Sequence, residues 1–187
     1  MKHLTREMLS SFGVPVGLAA LIVTLSSCKP RAGPAAHPYD VADVPGTAFT
    51  IRVSEFLEED SWPLSGAYYR FESLPRGGKD WVLAVQVRTD DDIPLPVKNV
   101  RFVSADTAFL FMGRKYAVTT DGGKHWTVWN AETDLPGWQG GHCGFIGSVE
   151  MTNNGVGKMI LRRIQGRARE VDQLSTSDFG RHWTVGR

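Results

Sequence analysis

Beyond about residue 45, the chain alternates between short apolar runs and polar turns, which is the pattern of β-strands. Thr47–Val53 and Trp81–Val87 are rich in β-branched and aromatic residues. No segment of this part repeats apolar residues every 3.6 positions over three turns. We therefore expect a mainly β domain, with one short helix over Ser54–Asp60. Further predicted strands are Val100–Val103, Thr107–Met112, Tyr116–Thr119, Phe145–Thr152, Val156–Ile164 and Glu170–Thr176.

The first residues have the pattern of an export signal. Lys2 and Arg6 give a basic start, and Val14–Leu25 is an apolar run. The run has the length of a signal-peptide core. It is shorter than the roughly 20 residues that an apolar helix needs to span a bilayer. We predict that residues 1–27 are a signal peptide.

The signal ends in Leu25-Ser26-Ser27-Cys28, which resembles the bacterial lipobox of an aliphatic residue, two small residues and cysteine. The resemblance implies that the Cys28 thiolate accepts a lipid. The alternatives are an ordinary signal peptide with a chance cysteine, or a buried helix. We expect membrane contact through the lipid alone. Because Lys29 follows Cys28, the resemblance implies the periplasmic side of the outer membrane if the host is Gram-negative.

Residues 28–44 are predicted to be the lipidated cysteine and a flexible tether, because Lys29–Asp40 is rich in Pro, Ala and Gly. Residues 45–187 then form one β-rich domain. The chain has two cysteines, so lipidation of Cys28 leaves Cys143 without an intrachain partner. We expect no internal disulfide.

The charge balance gives no reason to expect nucleic-acid binding. The chain has 21 Lys and Arg against 20 Asp and Glu, and removal of residues 1–27 leaves 19 of each. A neutral domain has no global attraction for phosphate backbones. The sequence also contains no zinc motif or phosphate-binding glycine loop, so we expect neither a metal nor a cofactor.

One repeat is clear: Thr119–Val128 matches Thr176–Val185 at seven of ten positions. The spacing has a physical explanation. An aspartate at a tight turn accepts hydrogen bonds from backbone N–H groups, a glycine supplies a positive φ, and a tryptophan covers the turn. We assign a structural role to these residues, which are Thr119, Asp121, Gly123 and Trp126 in the first copy and Thr176, Asp178, Gly180 and Trp183 in the second. His125 and His182 occupy equivalent positions, which favours one shared structural task.

Both copies resemble the Asp-box hairpin of sialidase-like and other β-propeller repeats. The resemblance implies blade-like antiparallel sheets, with the box between the third and fourth strands of each. A closed propeller needs at least four blades of four strands, and this chain has room for about two and a half. We therefore expect a partial propeller-like arrangement or a sandwich.

The sequence contains no recognisable catalytic motif, such as the Gly-x-Ser-x-Gly elbow of hydrolases. His142 and Cys143 are adjacent, but neighbours in a strand point to opposite faces. A buried structural cysteine is therefore favoured over a reactive pair. We expect a protein that is not an enzyme.

Two kinds of charged cluster are candidate surfaces for a protein partner. The acidic residues are Glu58, Glu59, Asp60, Asp90, Asp91 and Asp92, and the basic residues are Lys158, Arg162, Arg163, Arg167 and Arg169. The alternative is ordinary solvated loops and strand faces. Complementary charge would speed association and set specificity. We take the acidic residues as the first candidates for partner binding.

The lipobox, the Gly-Gly-Lys-His-Trp hairpin and the chain length together resemble the immunity lipoproteins that accompany type VI secretion phospholipase effectors. The resemblance implies a periplasmic protein that binds a toxic lipase and neutralises it. Two alternatives stay open. One is a non-catalytic envelope assembly or scaffold lipoprotein with a propeller-like domain. The other is a carbohydrate-binding module that uses exposed Trp62, Trp129 or Trp138.

Overall fold

Three antiparallel sheets of four strands each make up the part of the chain that the structure describes. The structure is a computed structural model and describes residues 37–57, 66–89, 93–135, 138, 144–165 and 168–186; for 163–165 and 168–170 it gives only the backbone. All of these residues belong to one compact unit, Ala32–Arg187, while the unit Met1–Arg31 lies outside the described residues. The prediction of a mainly β domain with blade-like sheets is confirmed.

Each sheet is a meander, in which every strand pairs with the next strand along the chain. The first sheet contains β1 (Asp40–Pro45), β2 (Phe49–Leu57), β3 (Ala67–Pro75) and β4 (Val82–Thr89). The second contains β5 (Val100–Phe102), β6 (Ala108–Met112), β7 (Lys115–Thr119) and β8 (Thr127–Asn130). The third contains β9 (Phe145–Met151), β10 (Gly157–Gln165), β11 (Ala168–Thr176) and β12 (Thr184–Val185).

Within the described residues, two short helical segments lie outside the sheets. A 3₁₀ turn, Val97–Asn99, precedes β5, and the four-residue helix α1, Ala131–Asp134, follows β8. The Asn130 side chain caps α1 by accepting a hydrogen bond from the Glu132 N–H. No helix in the described ranges has the length and apolar character that a bilayer span requires.

The prediction of a helix over Ser54–Asp60 is wrong for the residues that the structure describes. Ser54–Leu57 continue β2, and Glu55 lies opposite Tyr69 of β3. Pairing with β3 satisfies the backbone polar groups of Ser54–Leu57 and keeps this segment extended despite its glutamate. Glu58–Asp60 lie outside the described residues.

The first sheet begins at Asp40, five residues before the predicted start of the domain at residue 45. Asp40–Pro45 pair in register with Thr50–Glu55, so the edge of β2 recruits them as β1. An edge strand needs little apolar content, because neither of its faces has to be fully buried. The strand β3 was also absent from the predicted runs, and with it the first sheet has four strands.

The second sheet lies between the other two, and its strand β6 is buried on both faces. All five residues of β6 are buried, and they alternate between two hydrophobic cores. Leu110 packs in the core shared with the first sheet, whereas Phe109 and Phe111 pack in the core shared with the third. The described part of Ala32–Arg187 is therefore a stack of three blade-like sheets, fewer than the four that a closed propeller needs.

Candidate functional site

The two Asp-box hairpins lie at equivalent places in the second and third sheets. The first box (Thr119–Val128) joins β7 to β8, and the second box (Thr176–Val185) joins β11 to β12. Each hairpin therefore connects the third strand of its sheet to the fourth. This is the position that the resemblance to propeller repeats implied.

The aspartate of each box is a hub for the backbone of its turn. In the first box, Asp121 Oδ1 accepts hydrogen bonds from the N–H groups of Lys124, at 3.1 Å, and His125, at 3.0 Å. In the second, Asp178 Oδ1 accepts from the His182 N–H at 3.1 Å. A carboxylate that accepts backbone N–H bonds fixes the turn, because those donors would otherwise have no partner.

The threonine of each box also fixes the turn, because its hydroxyl bonds to both the aspartate and the glycine N–H. Thr119 donates its hydroxyl to Asp121 Oδ1 at 2.9 Å and accepts from the Gly123 N–H at 3.1 Å. Thr176 makes the same two bonds to Asp178 and Gly180, at 2.7 and 3.0 Å. Both glycines have a positive φ, near 80°, which residues with a side chain rarely adopt.

The second box departs from the first at Phe179, which stands where the first box has Gly122. Phe179 has a φ of 63°, the one positive value at a non-glycine residue in the described part of the chain. Its N–H donates to the Gly155 carbonyl at 3.0 Å, and its carbonyl accepts from the Tyr116 hydroxyl at 2.7 Å. Its ring lies against Gly155, where a Cβ atom would come within 2.8 Å. These contacts hold a backbone conformation that costs free energy.

Hydrogen bonding sets the ionisation of both aspartates. Burial alone would raise the pKa of Asp121, but bonds from the backbone N–H and imidazole of His125 and from the Thr119 hydroxyl lower it to about 2. The pKa of Asp178 is likewise about 2, because bonds from His182 and Thr176 outweigh its burial. Both carboxylates are therefore ionised at neutral pH.

Each box also holds an Asp–His pair at short range. The Nδ1 atoms of His125 and His182 lie 2.6 Å from Oδ2 of Asp121 and Asp178. The two imidazole side chains are 88% and 86% exposed. Hydroxyl groups of Ser175, Ser177 and Thr184 line a shallow depression beside His182, yet none makes a hydrogen bond to its ring among the described contacts. The pair can therefore lock the turn.

The first box docks on the first sheet through Ser73 of β3. The Ser73 hydroxyl donates to the Gly123 carbonyl at 2.6 Å and accepts from Trp126 Nε1 at 2.9 Å. Ser73 is fully buried, and a Cβ atom on Gly123 would meet it at 2.8 Å. The glycine is therefore needed for close approach to the neighbouring sheet as well as for its φ.

The second box docks on the second sheet through Tyr116 of β7. The Trp183 ring packs edge-to-face on Tyr116, with centroids 5.4 Å apart, and lies near Trp129. The Tyr116 hydroxyl reaches past it to the Phe179 carbonyl, and burial raises the pKa of this phenol well above its usual range. Unlike Trp126 Nε1, which donates to Ser73, Trp183 Nε1 is buried with no partner among the described residues.

The first sheet has a degenerate hairpin of the same kind, which the sequence reasoning missed. Gly77–Trp81 reads Gly-Gly-Lys-Asp-Trp, close to Gly-Gly-Lys-His-Trp at Gly122–Trp126, and it lies between β3 and β4. Leu74 and Arg76 stand where the first box has its threonine and aspartate. The Arg52 guanidinium lies 4.0 Å from the Trp81 ring centroid. The Gly-Gly-Lys-x-Trp match between these two segments could have predicted this hairpin from the sequence.

Several predicted residues lie outside the part of the chain that the structure describes. These are Cys28, Glu58, Glu59, Asp60, Trp62, Asp90, Asp91, Asp92, His142 and Cys143. Trp129 is 4% exposed and packs in the core, so its ring is not an exposed platform for a sugar. Among the described residues, no group of three His, Cys, Asp or Glu side chains is placed to hold a metal ion.

The structure therefore brings the predicted Asp-box residues together in two hairpins that join neighbouring sheets. Arg181 of the second box also donates to the Thr120 hydroxyl at 2.7 Å, which links the two boxes directly. Comparison of the chain with protein-family models, curated proteins and solved structures finds no match.

Proposed function

We propose that this chain is a lipid-anchored, non-catalytic periplasmic protein that binds and neutralises a type VI secretion lipase effector. One observation supports a binding role above the others. Each box contains an Asp–His pair of the kind that catalysis can use, Asp121–His125 in the first box and Asp178–His182 in the second. In both hairpins the pair stabilises the turn. Repeated use of one arrangement at two sites is typical of structure rather than of catalysis.

The stack of sheets suits an inhibitor. The hairpins and both cores are held by hydrogen bonds and packing between neighbouring sheets, through Ser73 and Tyr116. A rigid surface loses little conformational freedom on binding, and tight inhibitors depend on that. The partner class, a lipase, is supported by the resemblance of the lipobox and hairpin to lipase-immunity lipoproteins.

A protection experiment in cells tests this proposal with the full chain. The product of a lipase-like gene adjacent to that of this chain is exported to the periplasm of a host, with or without co-expression of the chain. We expect the lipase alone to stop growth and the full chain to restore it. Cys28→Ala should protect less at equal expression, because the lipid places the protein where the lipase acts. Continued growth arrest beside a folded, correctly exported full chain would overturn the proposal.

A further inference from the structure

The two outer sheets each have one face that turns away from the second sheet, and these two faces differ. On β10, Met159 and Leu161 are fully buried toward the second sheet, so Lys158 and Arg162 lie on the outer face. On β3, Tyr69 and Phe71 are buried toward the second sheet, so Arg70 lies on the outer face of the first sheet.

The outer face of the first sheet compensates its own charges. Arg52 makes a two-bond ion pair with Asp43, at 2.8 and 3.1 Å, and its guanidinium also lies over the Trp81 ring. The Arg70 guanidinium lies 4.8 Å from the Phe56 ring centroid. On this face the described arginines thus contact a carboxylate or aromatic rings, and Ser54 and Phe56 on the same face are buried.

The outer face of the third sheet carries an uncompensated strip, made of Phe145, Arg162 and Val171. Arg162 lies opposite Phe145 on β9 and opposite Val171 on β11, so the three side chains form one row across the sheet. Phe145 is 41% exposed and Val171 is 60% exposed. Arg162 lies close over Gly147, where a Cβ atom would meet its Nε at 2.8 Å.

Arg162 has no carboxylate partner among the described residues. The one described acid on this face, Glu150, lies opposite Lys158, four positions away along β10. The strip therefore combines an aromatic ring, an exposed aliphatic side chain and a guanidinium that has no carboxylate partner in the described ranges. Interface cores are enriched in aromatic residues and arginine, and such residues dominate binding energy.

We propose that this strip is the docking surface for the protein partner, and that the partner presents a carboxylate to Arg162 between apolar side chains. The charge of the strip selects an acidic partner, because an arginine buried without a counter-charge would weaken the complex. Gly147 lets Arg162 lie flat on the sheet, which presents the planar guanidinium for a two-bond contact with a carboxylate. This inference rests on the proposed function and names its surface.

The test uses the full chain, and its probe is the purified product of any lipase-like gene found next to the gene for this chain. Arg162→Glu and Val171→Asp are compared with Lys98→Glu and Leu83→Asp, which place the same charges at exposed positions outside the strip. We expect each strip variant to weaken the lipase complex by about 30-fold or more, as substitutions at binding hot spots do. The two control variants should change the affinity by less than about 2-fold, because rim and remote surface residues contribute little. Thermal melting confirms that all four variants are folded.

Three outcomes would overturn the inference, and they are distinguishable. If the unmodified chain binds the lipase and both strip variants bind it equally well, the surface lies elsewhere and the proposed function stands. If the unmodified chain does not bind the lipase, both proposals fail. If the chain with Cys28→Ala, which lacks the lipid anchor, instead binds vesicles of phosphatidylglycerol and Arg162→Glu abolishes that binding, the strip recognises lipid rather than protein.

Discussion

The Ser73 hydroxyl and the Trp126 indole form a 2.9 Å hydrogen bond that joins β3 to a hairpin 53 residues later. The same hydroxyl donates to the Gly123 carbonyl, so one buried atom satisfies a donor and an acceptor of the first box. The second box has no such bond: it packs on Tyr116, whose hydroxyl bonds to the Phe179 carbonyl, and the Trp183 N–H is buried without a partner in the described part of the chain. The two boxes share a fold but differ in how they dock.

Ser73→Ala should destabilise the protein by about 1–3 kcal/mol, because it leaves the Trp126 N–H and the Gly123 carbonyl without their partner. Chemical denaturation measures this change. Ser148→Ala is the matched control, since Ser148 is an exposed serine in β9 and should change stability by no more than about 0.5 kcal/mol. Equal stability of the two variants would show that the Ser73 bonds contribute nothing.

The two box tryptophans should differ in their contribution to stability. Trp183 is 6% exposed and packs in the core between the second and third sheets, so Trp183→Ala should lower the free energy of unfolding by about 3–5 kcal/mol. Trp126 is only partly buried, so Trp126→Ala should cost less. Equilibrium unfolding of both variants gives the comparison. A larger loss for Trp126→Ala would mean that its bond to Ser73 outweighs the deeper burial of Trp183.

The sequence predicts the boxes well because their contacts are local. Thr119, Asp121 and Gly123 bond to one another within four residues, and that spacing can be read from the chain. The contacts between Ser73 and Gly123 and between Tyr116 and Phe179 span 50 and 63 residues, and no local pattern encodes them.

The missed elements have separate physical reasons. The acidic run after Val53 suggests a helix, but pairing between Glu55 and Tyr69 makes it a strand. The strand β1 is too exposed to show an apolar pattern. In β3, the buried positions Ala67, Tyr69 and Phe71 do alternate, so this strand could have been predicted.

The depressed pKa values of Asp121 and Asp178 predict a loss of stability in acid. Each falls from its ordinary 3.8 to about 2 on folding, so the unfolded chain takes up protons that the folded carboxylates do not. The stabilisation is fully present above about pH 4–5 and is lost as the pH falls toward 2. Melting curves across this window should show a shallower decline for the double variant Asp121→Asn, Asp178→Asn. An identical pH dependence in the parent and the double variant would contradict this assignment.

Lipid on Cys28 is predicted from the lipobox-like sequence Leu25–Cys28. Metabolic labelling with an alkyne fatty acid should mark the full-length protein, and Cys28→Ala should abolish the mark because the thiolate is the acceptor. Cys143→Ala is the matched control and should label like the parent. Undiminished labelling of Cys28→Ala would remove the basis for a lipid anchor.

Titration of a lipase with the full chain tests most directly whether the chain neutralises the enzyme. The product of a lipase-like gene found next to the gene for this chain is assayed on phospholipid vesicles. The purified full chain is added from nanomolar to micromolar concentrations. We expect phospholipase activity to fall to near zero once the chain is equimolar with the lipase. We also expect gel filtration to show a stable complex of the two proteins. Full lipase activity in the presence of micromolar folded chain, with no complex, would contradict both expectations.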